Sequence, residues 1–216
     1  MTSHPKEQAK ISDRQRWDER YRHGAYADRL WPSAYLQQLA DAGVVNGPGR
    51  ALDVACGRGR NSLFLAARGF QVDAVDVAAV AIAQAASSAV FQNLRINWQC
   101  RGLDTTQAQP VSGAYSLIVM FRFVAPKLLP SLLDGLTAGG LLVIEEHLQW
   151  SQTDTLVGPS SQRFRVAPGE IHQQLSQPGV EFDVVDQYEG LVTEATDLGS
   201  DGTAAVSRLC IRRRSS

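Results

Sequence analysis

Residues 51–77 read "ALDVACGRGRNSLFLAARGFQVDAVDV". A short apolar run over 51–55 enters a glycine-bearing turn, an amphipathic stretch over 61–68 stopped by Gly69 follows, and a second apolar run closes on Asp76 and Val77. Short runs that are apolar throughout, rather than alternating with polar residues, mark strands buried on both faces, and the periodicity between them is helical. The unit is therefore strand, helix, strand, the building block of a parallel sheet.

The same grammar continues along the chain. An alanine-rich helix is expected over 78–90, a strand at "RINWQCR" (95–101), a strand at "AYSLIVMF" (114–121), a helix over 127–136 stopped near Gly139-Gly140, and a strand at "LLVIEEH" (141–147). After His147 the pattern changes to a long polar connection over 148–168, a short helix over 169–175, and strands over 180–190 and 204–213. No helix separates those two strands, so the last runs antiparallel. Upstream, Ile11, Trp17 and Tyr21 fall at helical spacings within 6–23, a second helix is expected over 33–42, and "VVNGPGR" breaks the chain before the first strand. The expected fold is α/β: a doubly wound, mostly parallel seven-stranded sheet with helices on both faces, its last strand antiparallel, under an N-terminal helical lid. Residues 1–48 form the lid and 49–216 the core of what is one structural domain overall.

Composition narrows the ligand. Twenty-one basic and 22 acidic residues give a net charge of −1, which leaves no electrostatic footprint for nucleic acid or an anionic membrane. The first residues are charged where a secretory signal needs an apolar run, and no stretch reaches the roughly 18 apolar residues of a membrane span, so a cytoplasmic protein is expected. Cys56, Cys100 and Cys210 are odd in number and far apart, which suggests reduced thiols rather than a disulfide framework or a metal site. A small-molecule partner remains. The oligomeric state is not legible.

In an open parallel sheet, ligands sit beyond the carboxyl ends of the strands, where strand order reverses. "ACGRGRN" (55–61) occupies such an end. A helix starting near Asn61 offers free backbone N–H groups there, and Gly57 and Gly59 allow close approach to the backbone. A tight turn alone would select the same glycines. Asp53 and Asp76 add weight, because a carboxylate near the inner end of a buried strand is costly unless something satisfies it, and Asp76 stands where a carboxylate accepts both ribose hydroxyls. A dinucleotide fingerprint would need a third small position, whereas "GRGRNS" places Arg60, Asn61 and Ser62 at the helix start.

"DVACGRG" followed by Asp76 resembles the class I S-adenosylmethionine-dependent methyltransferases. The segments "CGRGRNSLFLAARGFQVDAVD", "YSLIVMFRFVAPKLLPSLLDGLTAGGLLVIEE" and "RFRVAPGEIHQQL" look like the small members related to tellurite-resistance proteins. The resemblance implies S-adenosyl-L-methionine as cofactor. Asp53 and the backbone of Ala55 would lie near its methionine amino group, with Cys56, Gly57, Gly59 and Asn61 in the loop and helix start beside it. Asp76 would take the ribose hydroxyls and Val77 would pack on the adenine. Asp104 would meet the adenine amino group, with the Thr105 amide beside it, although Asp before Thr-Thr is also a turn signal. Met120 and Phe121 would contribute backbone contacts or plain core. Ala55 departs from the family, where glycine is common.

Methyl transfer from a sulfonium asks the protein chiefly for approach geometry. Trp17, Tyr21, Tyr26 and Trp31 can form an aromatic wall that attracts the sulfonium, or simply pack helices. "FRFVAPK" (121–127) stands where members acting on amide or nucleobase nitrogen carry a Pro-Pro-aromatic motif, which argues against those targets. Arg122 can bind an anionic acceptor or the cofactor carboxylate, or form a salt bridge. Glu146 and His147 can form an acid–base pair, and Arg163 and Arg165 can close on an anion. The resemblance implies a small acceptor, a soft thiol or a chalcogen oxyanion among them, while "EEH" departs from the group. Two other readings stand: an NAD-type oxidoreductase, for which Lys6, Lys10 and Lys127 supply no catalytic Tyr-Lys context, and a methyltransferase-like module that binds without catalysis.

Overall fold

In the computed structural model, which describes residues 12–102, 110–150, 155–176, 181–195 and 201–215, the opening stretch becomes β1 (Arg50–Val54), α3 (Arg60–Ala67) and β2 (Gln71–Asp76). β1 pairs in parallel with β2 on one side and with β4 (Tyr115–Phe121) on the other, so the strand order reverses at β1. With β3 (Ile96–Cys100), β5 (Leu136–His147), β6 (Phe182–Ala195) and β7 (Asp201–Arg213), the sheet has seven strands in the order β3-β2-β1-β4-β5-β7-β6. β7 is antiparallel to both its neighbours, as expected of a strand reached without a helical crossover.

Two apolar layers cover the sheet. On one face Leu52, Val54, Ile118, Met120, Leu142 and Ile144 meet Leu129, Leu132 and Leu133 of α5 (Leu129–Gly135) and Ile171 and Leu175 of α6 (Glu170–Leu175). On the other, Ala51, Val72, Ala74, Leu117, Val119 and Val143 meet Leu65 of α3 and Tyr35, Leu36 and Leu39 of α2 (Ala34–Asp41). Alternate residues of one strand serve opposite layers, the period of a pleated strand.

Local chemistry accounts for most boundaries. α1 (Asp13–Arg22) opens on a capping box between Ser12 and Gln15, with Asp13 in its first turn and Arg20 and Arg22 in its last; residues 6–11 of the expected helix lie outside the described residues. α4 (Ala79–Phe91) buries Ala81, Ala85 and Ala89, a stripe at spacing four. The helix expected over 127–136 is instead a 3₁₀ turn (Pro126–Leu128) followed by α5, and β5 starts at Leu136, earlier than the glycine pair suggested. Gly135 ends α5 in tight packing, where a Cβ would lie 2.7 Å from Pro110 Cγ. Gly139-Gly140 then falls inside β5, and the register with β4 shifts between Tyr115 and Leu117. α2 contributes fully to the core, whereas α1 packs on α4 and covers the carboxyl end of the sheet near the glycine loop.

Candidate active site

Because Val54 pairs with Val75, Asp76 stands level with the first residue of the loop that leaves β1. The loop folds onto it: Gly57 N–H donates to Asp76 Oδ2 and Ala78 N–H to Oδ1, both at 2.8 Å. Asp76 is buried, and burial raises its pKa against those backbone bonds. A carboxylate has about four lone-pair sites, so these two amides and the Val77 amide that also acts on it leave capacity for a ribose hydroxyl.

Ala55, Gly57 and Gly59 all have positive φ, at 56°, 53° and 77°. The two glycines serve different neighbours. A Cβ on Gly57 would lie 2.7 Å from the Tyr21 hydroxyl, so Gly57 is where the lid helix reaches the loop, while a Cβ on Gly59 would meet Trp98 and Ala85. Ala55 holds the left-handed conformation despite its Cβ, which costs about 1–2 kcal/mol. After the greater chain entropy of glycine is subtracted, Ala55→Gly is expected to stabilise the fold by about 0.5–1 kcal/mol in urea unfolding.

Asp53 has a task of its own. It accepts from the Ser62 hydroxyl at 2.5 Å and from the Ser62 amide, capping the first turn of α3 from the neighbouring strand. Full burial pushes its pKa up to about 7. Asn61 is turned toward α2: its Oδ1 accepts from Ser33 N–H at 2.9 Å and its Nδ2 reaches the Ser33 hydroxyl, which also accepts from Arg60. Cys56 is buried, its N–H bonded to Val75 O, and burial holds its thiol well above its ordinary pKa. Met120 and Phe121 point their side chains into opposite core layers, so only their backbone is available to a ligand. Val77 follows Asp76 at the same edge. Asp104 and Thr105 lie outside the described residues.

Trp17, Tyr21 and Tyr26 come together above the loop, with Trp17–Tyr21 and Tyr21–Tyr26 ring centroids each 6.1 Å apart. Burial and nearby Asp76 raise the Tyr21 pKa and keep its phenol neutral. Asp18 of α1 accepts from Val80 N–H at 2.9 Å, fixing the lid helix over the end of β2. Trp31 does not join this wall. It is 43% exposed, in the segment leading to α2.

The acid–base pair expected of Glu146 and His147 does not form. Consecutive residues of β5 point to opposite faces, and each has a different partner. His147 Nδ1 accepts from Arg122 at 2.9 Å, since a guanidinium only donates. Gly158 covers its ring so closely that a Cβ there would lie 2.5 Å from Cε1. Burial and the charges of Arg122, Arg165 and Arg29 lower the His147 pKa to about 2, so the ring is neutral. Glu146, 1% exposed, accepts from Phe123 N–H at 2.8 Å through Oε1, its Oε2 is unpartnered, and burial raises its pKa to about 8.

Arg122 takes the left-handed conformation (φ 61°) directly after β4. Its guanidinium bridges Glu145 at 3.0 Å and Glu194 at 2.9 Å, and Glu194 also pairs with Arg29 at 3.6 Å. Glu145 in turn holds Arg208 at 2.6 Å. Arg29, Glu145 and Glu194 were not read from the sequence as site residues. Glu145 was adjacent to a candidate, but Glu194 is more than 70 positions from Arg122 and reaches it only through the β6–β7 pairing. Arg165 donates to the carbonyls of Pro159 and Leu148, and Arg163 stacks on Phe164.

These shifts predict a pH dependence. Glu146 and Asp53 keep protons in the folded state that the unfolded chain has released, so the stability they contribute is complete below about pH 4 and is lost as pH rises through about 7 and 8. His147 acts in the opposite sense, refusing a proton that the unfolded chain takes below pH 6.5. Between pH 6.5 and 8 only the first effect operates, and urea-unfolding stability is expected to fall with rising pH. The slope should flatten in Asp53→Asn and Glu146→Gln; a stability that rises across this window contradicts the assignment.

The strand order β3-β2-β1-β4-β5-β7-β6 with β7 antiparallel, reversing at β1 beside a glycine loop and Asp76, is the fold of the class I S-adenosylmethionine-dependent methyltransferases. A family model described as tellurite resistance protein TehB matches residues 21–157, more than half of the chain, and the chain belongs to that family. Among solved structures, TehB from Haemophilus influenzae superposes with a TM-score of 0.66 at 21% identity, covering 91% of this chain and 67% of that one. Phosphoethanolamine N-methyltransferase 2 from Haemonchus contortus, solved with S-adenosyl-L-methionine, gives 0.69 at 14% identity over 96% and 61%. Geranyl diphosphate C-methyltransferase from Streptomyces coelicolor A3(2), solved with S-adenosyl-L-homocysteine, gives 0.63 at 16% identity over 83% and 75%. A search of curated protein sequences returns no match. Among the described residues, no helix is long and apolar enough to cross a membrane.

Proposed function

We propose that this chain binds S-adenosyl-L-methionine across the carboxyl ends of β1, β2 and β4 and transfers its methyl group to a small soft acceptor, a thiol or a chalcogen oxyanion. The observation that carries the reading is the Asp76 carboxylate, buried yet with acceptor capacity left, beside a loop whose Gly57 has no room for a side chain under Tyr21. That cradle fits an S-adenosyl nucleoside. Asp76 would hold the ribose and Val77 the adenine, with Asp104 and the Thr105 amide beside it. The backbone of Ala55, Cys56 and Gly57 would line the methionine part, and the backbone of Met120 and Phe121 would border it.

When bound, the cofactor supplies an electrophilic methyl carbon on a sulfonium. The protein's part is then threefold. Trp17, Tyr21 and Tyr26 exclude water and offer ring faces to the positive charge. Asp53 and Asn61 act at one remove, by fixing the start of α3 and its junction with α2. Arg122 sets the charge beside the acceptor, held by Glu145 and Glu194, and His147 orients Arg122 as a neutral ring rather than exchanging a proton. Family membership and the Arg60-Asn61-Ser62 helix start argue against a dinucleotide reading, and family membership favours a catalyst over an inert module. The test is incubation with methyl-labelled cofactor and a small-molecule extract, followed by mass spectrometry. Label in a small thioether or methylated chalcogen is expected; label only in macromolecules, or none, overturns the reading.

A further inference from the structure

Among the described residues, Glu146 and Trp150 carry buried polar atoms, Oε2 and Nε1, that have no partner, as does Arg122 at Nε. Glu146 and Trp150 lie at the carboxyl end of β5 on the α5–α6 face, where Phe123, Val124 and Ala125 after β4 and Trp150 and Leu156 after β5 are partly open and pack on the same core. An unsatisfied buried polar group is costly, and two of them unmatched in one apolar region at the ligand end of a parallel sheet fit a bound molecule with a polar atom and an apolar body. The charges acting on Glu146 are Arg122 and Glu145. Glu145 and Glu194 are shared by Arg122, Arg29 and Arg208, a cluster that keeps one positive charge and is gathered by Glu145 on the face of β5 opposite Glu146.

Resting on the methyltransfer reading above, we infer that the acceptor is a neutral thiol with an apolar body, seated against Phe123, Val124 and Trp150, and that Glu146 Oε2 takes its proton. The sulfur lone pair forms the new bond to the methyl carbon as the S–H proton passes to the carboxylate. The electron pair of the broken carbon–sulfur bond stays with the departing sulfur. A sulfonium, a carboxylate and a thiol thus become two thioethers and a carboxylic acid, which returns its proton to water. Burial lifts the Glu146 carboxyl to about 8, close to the ordinary thiol value of about 8.5, so the transfer is nearly balanced. A chalcogen oxyanion attacks through a lone pair on the chalcogen, which carries no proton that must leave, so methylation there does not call on Glu146.

The test uses the full chain with benzyl mercaptan and with selenite as acceptors. Wild type should methylate benzyl mercaptan with kcat/KM rising with pH through about 8. Glu146→Gln, whose amide oxygen still accepts from Phe123 N–H, should lose about 100-fold at neutral pH together with that rise, while its affinity for S-adenosylhomocysteine is unchanged. Independently of turnover, carbon NMR of side-chain-labelled glutamate should show a carboxyl titrating near pH 8 that is absent in Glu146→Gln and is shifted by benzyl mercaptan but not by selenite. A Glu146→Gln rate equal to wild type, methylation of selenite but not of the thiol, or no carboxyl titrating above the ordinary range overturns the inference. If S-adenosylhomocysteine still binds, those results leave the methyltransfer reading standing; if it does not bind wild type, both fall.

Discussion

Asp76→Ala is expected to raise the dissociation constant for S-adenosylhomocysteine by about 100-fold or more. The ribose loses its charged acceptor, a bond worth about 1.5–3 kcal/mol, and every 1.4 kcal/mol is tenfold. The same substitution strips Gly57 N–H and Ala78 N–H of their acceptor, so the loop loses its fixed shape along with the ribose contact. Asp76→Asn separates the two effects. Its single carbonyl oxygen satisfies one amide, and an intermediate loss of about tenfold is expected. Calorimetric titration checks both, with thermal melts reporting whether the loop has collapsed. Affinity within about twofold of wild type in Asp76→Ala removes the ribose assignment.

Gly59→Ala should destabilise the whole fold, by about 2–4 kcal/mol, from the left-handed backbone at φ 77° and from a Cβ placed 2.6 Å from Trp98 Cη2 and 3.0 Å from Ala85 Cβ. For a chain of this size that corresponds to a fall of roughly 5–15 °C in melting temperature. Gly57→Ala makes the informative contrast. Its Cβ would press on the end of a single tyrosine side chain, so its stability cost should be the smaller of the two and its effect on S-adenosylhomocysteine affinity the larger. Equal melting temperatures for the two variants would contradict the division of labour between the glycines.

The parallel core was legible in the sequence because β1, β2, β4 and β5 are mostly apolar runs and each break carries a glycine or a polar turn, with the more polar β3 at the sheet edge. The α5–β5 boundary was not. Gly139-Gly140 is a strong stop signal, yet the chain had already turned at Gly135, whose need for a missing side chain comes from Pro110, a tertiary neighbour. The site divides in the same way. Asp76 could be read because its role depends on position at a strand end, and that position follows from the β1–β2 register. Asn61 was assigned to the ligand by its place in the loop, but its amide is matched to Ser33, a backbone contact that sequence spacing does not encode. Glu146 and His147 looked like a pair because they are adjacent. The pleat sends them to opposite faces, and Arg122, which ends a different strand, claims His147. Arg29 and Glu194 join the charged cluster from the lid and from β6, and neither end of the chain signals the other.

The central claim, that the cleft beside Asp76 holds an S-adenosyl nucleoside, is tested most directly by titrating the protein with S-adenosylhomocysteine and with NAD in the same calorimetric experiment. Saturable one-to-one binding of S-adenosylhomocysteine, weakened about 100-fold or more by Asp76→Ala, with no heat from NAD is the predicted result; binding of NAD alone, or of neither, contradicts it.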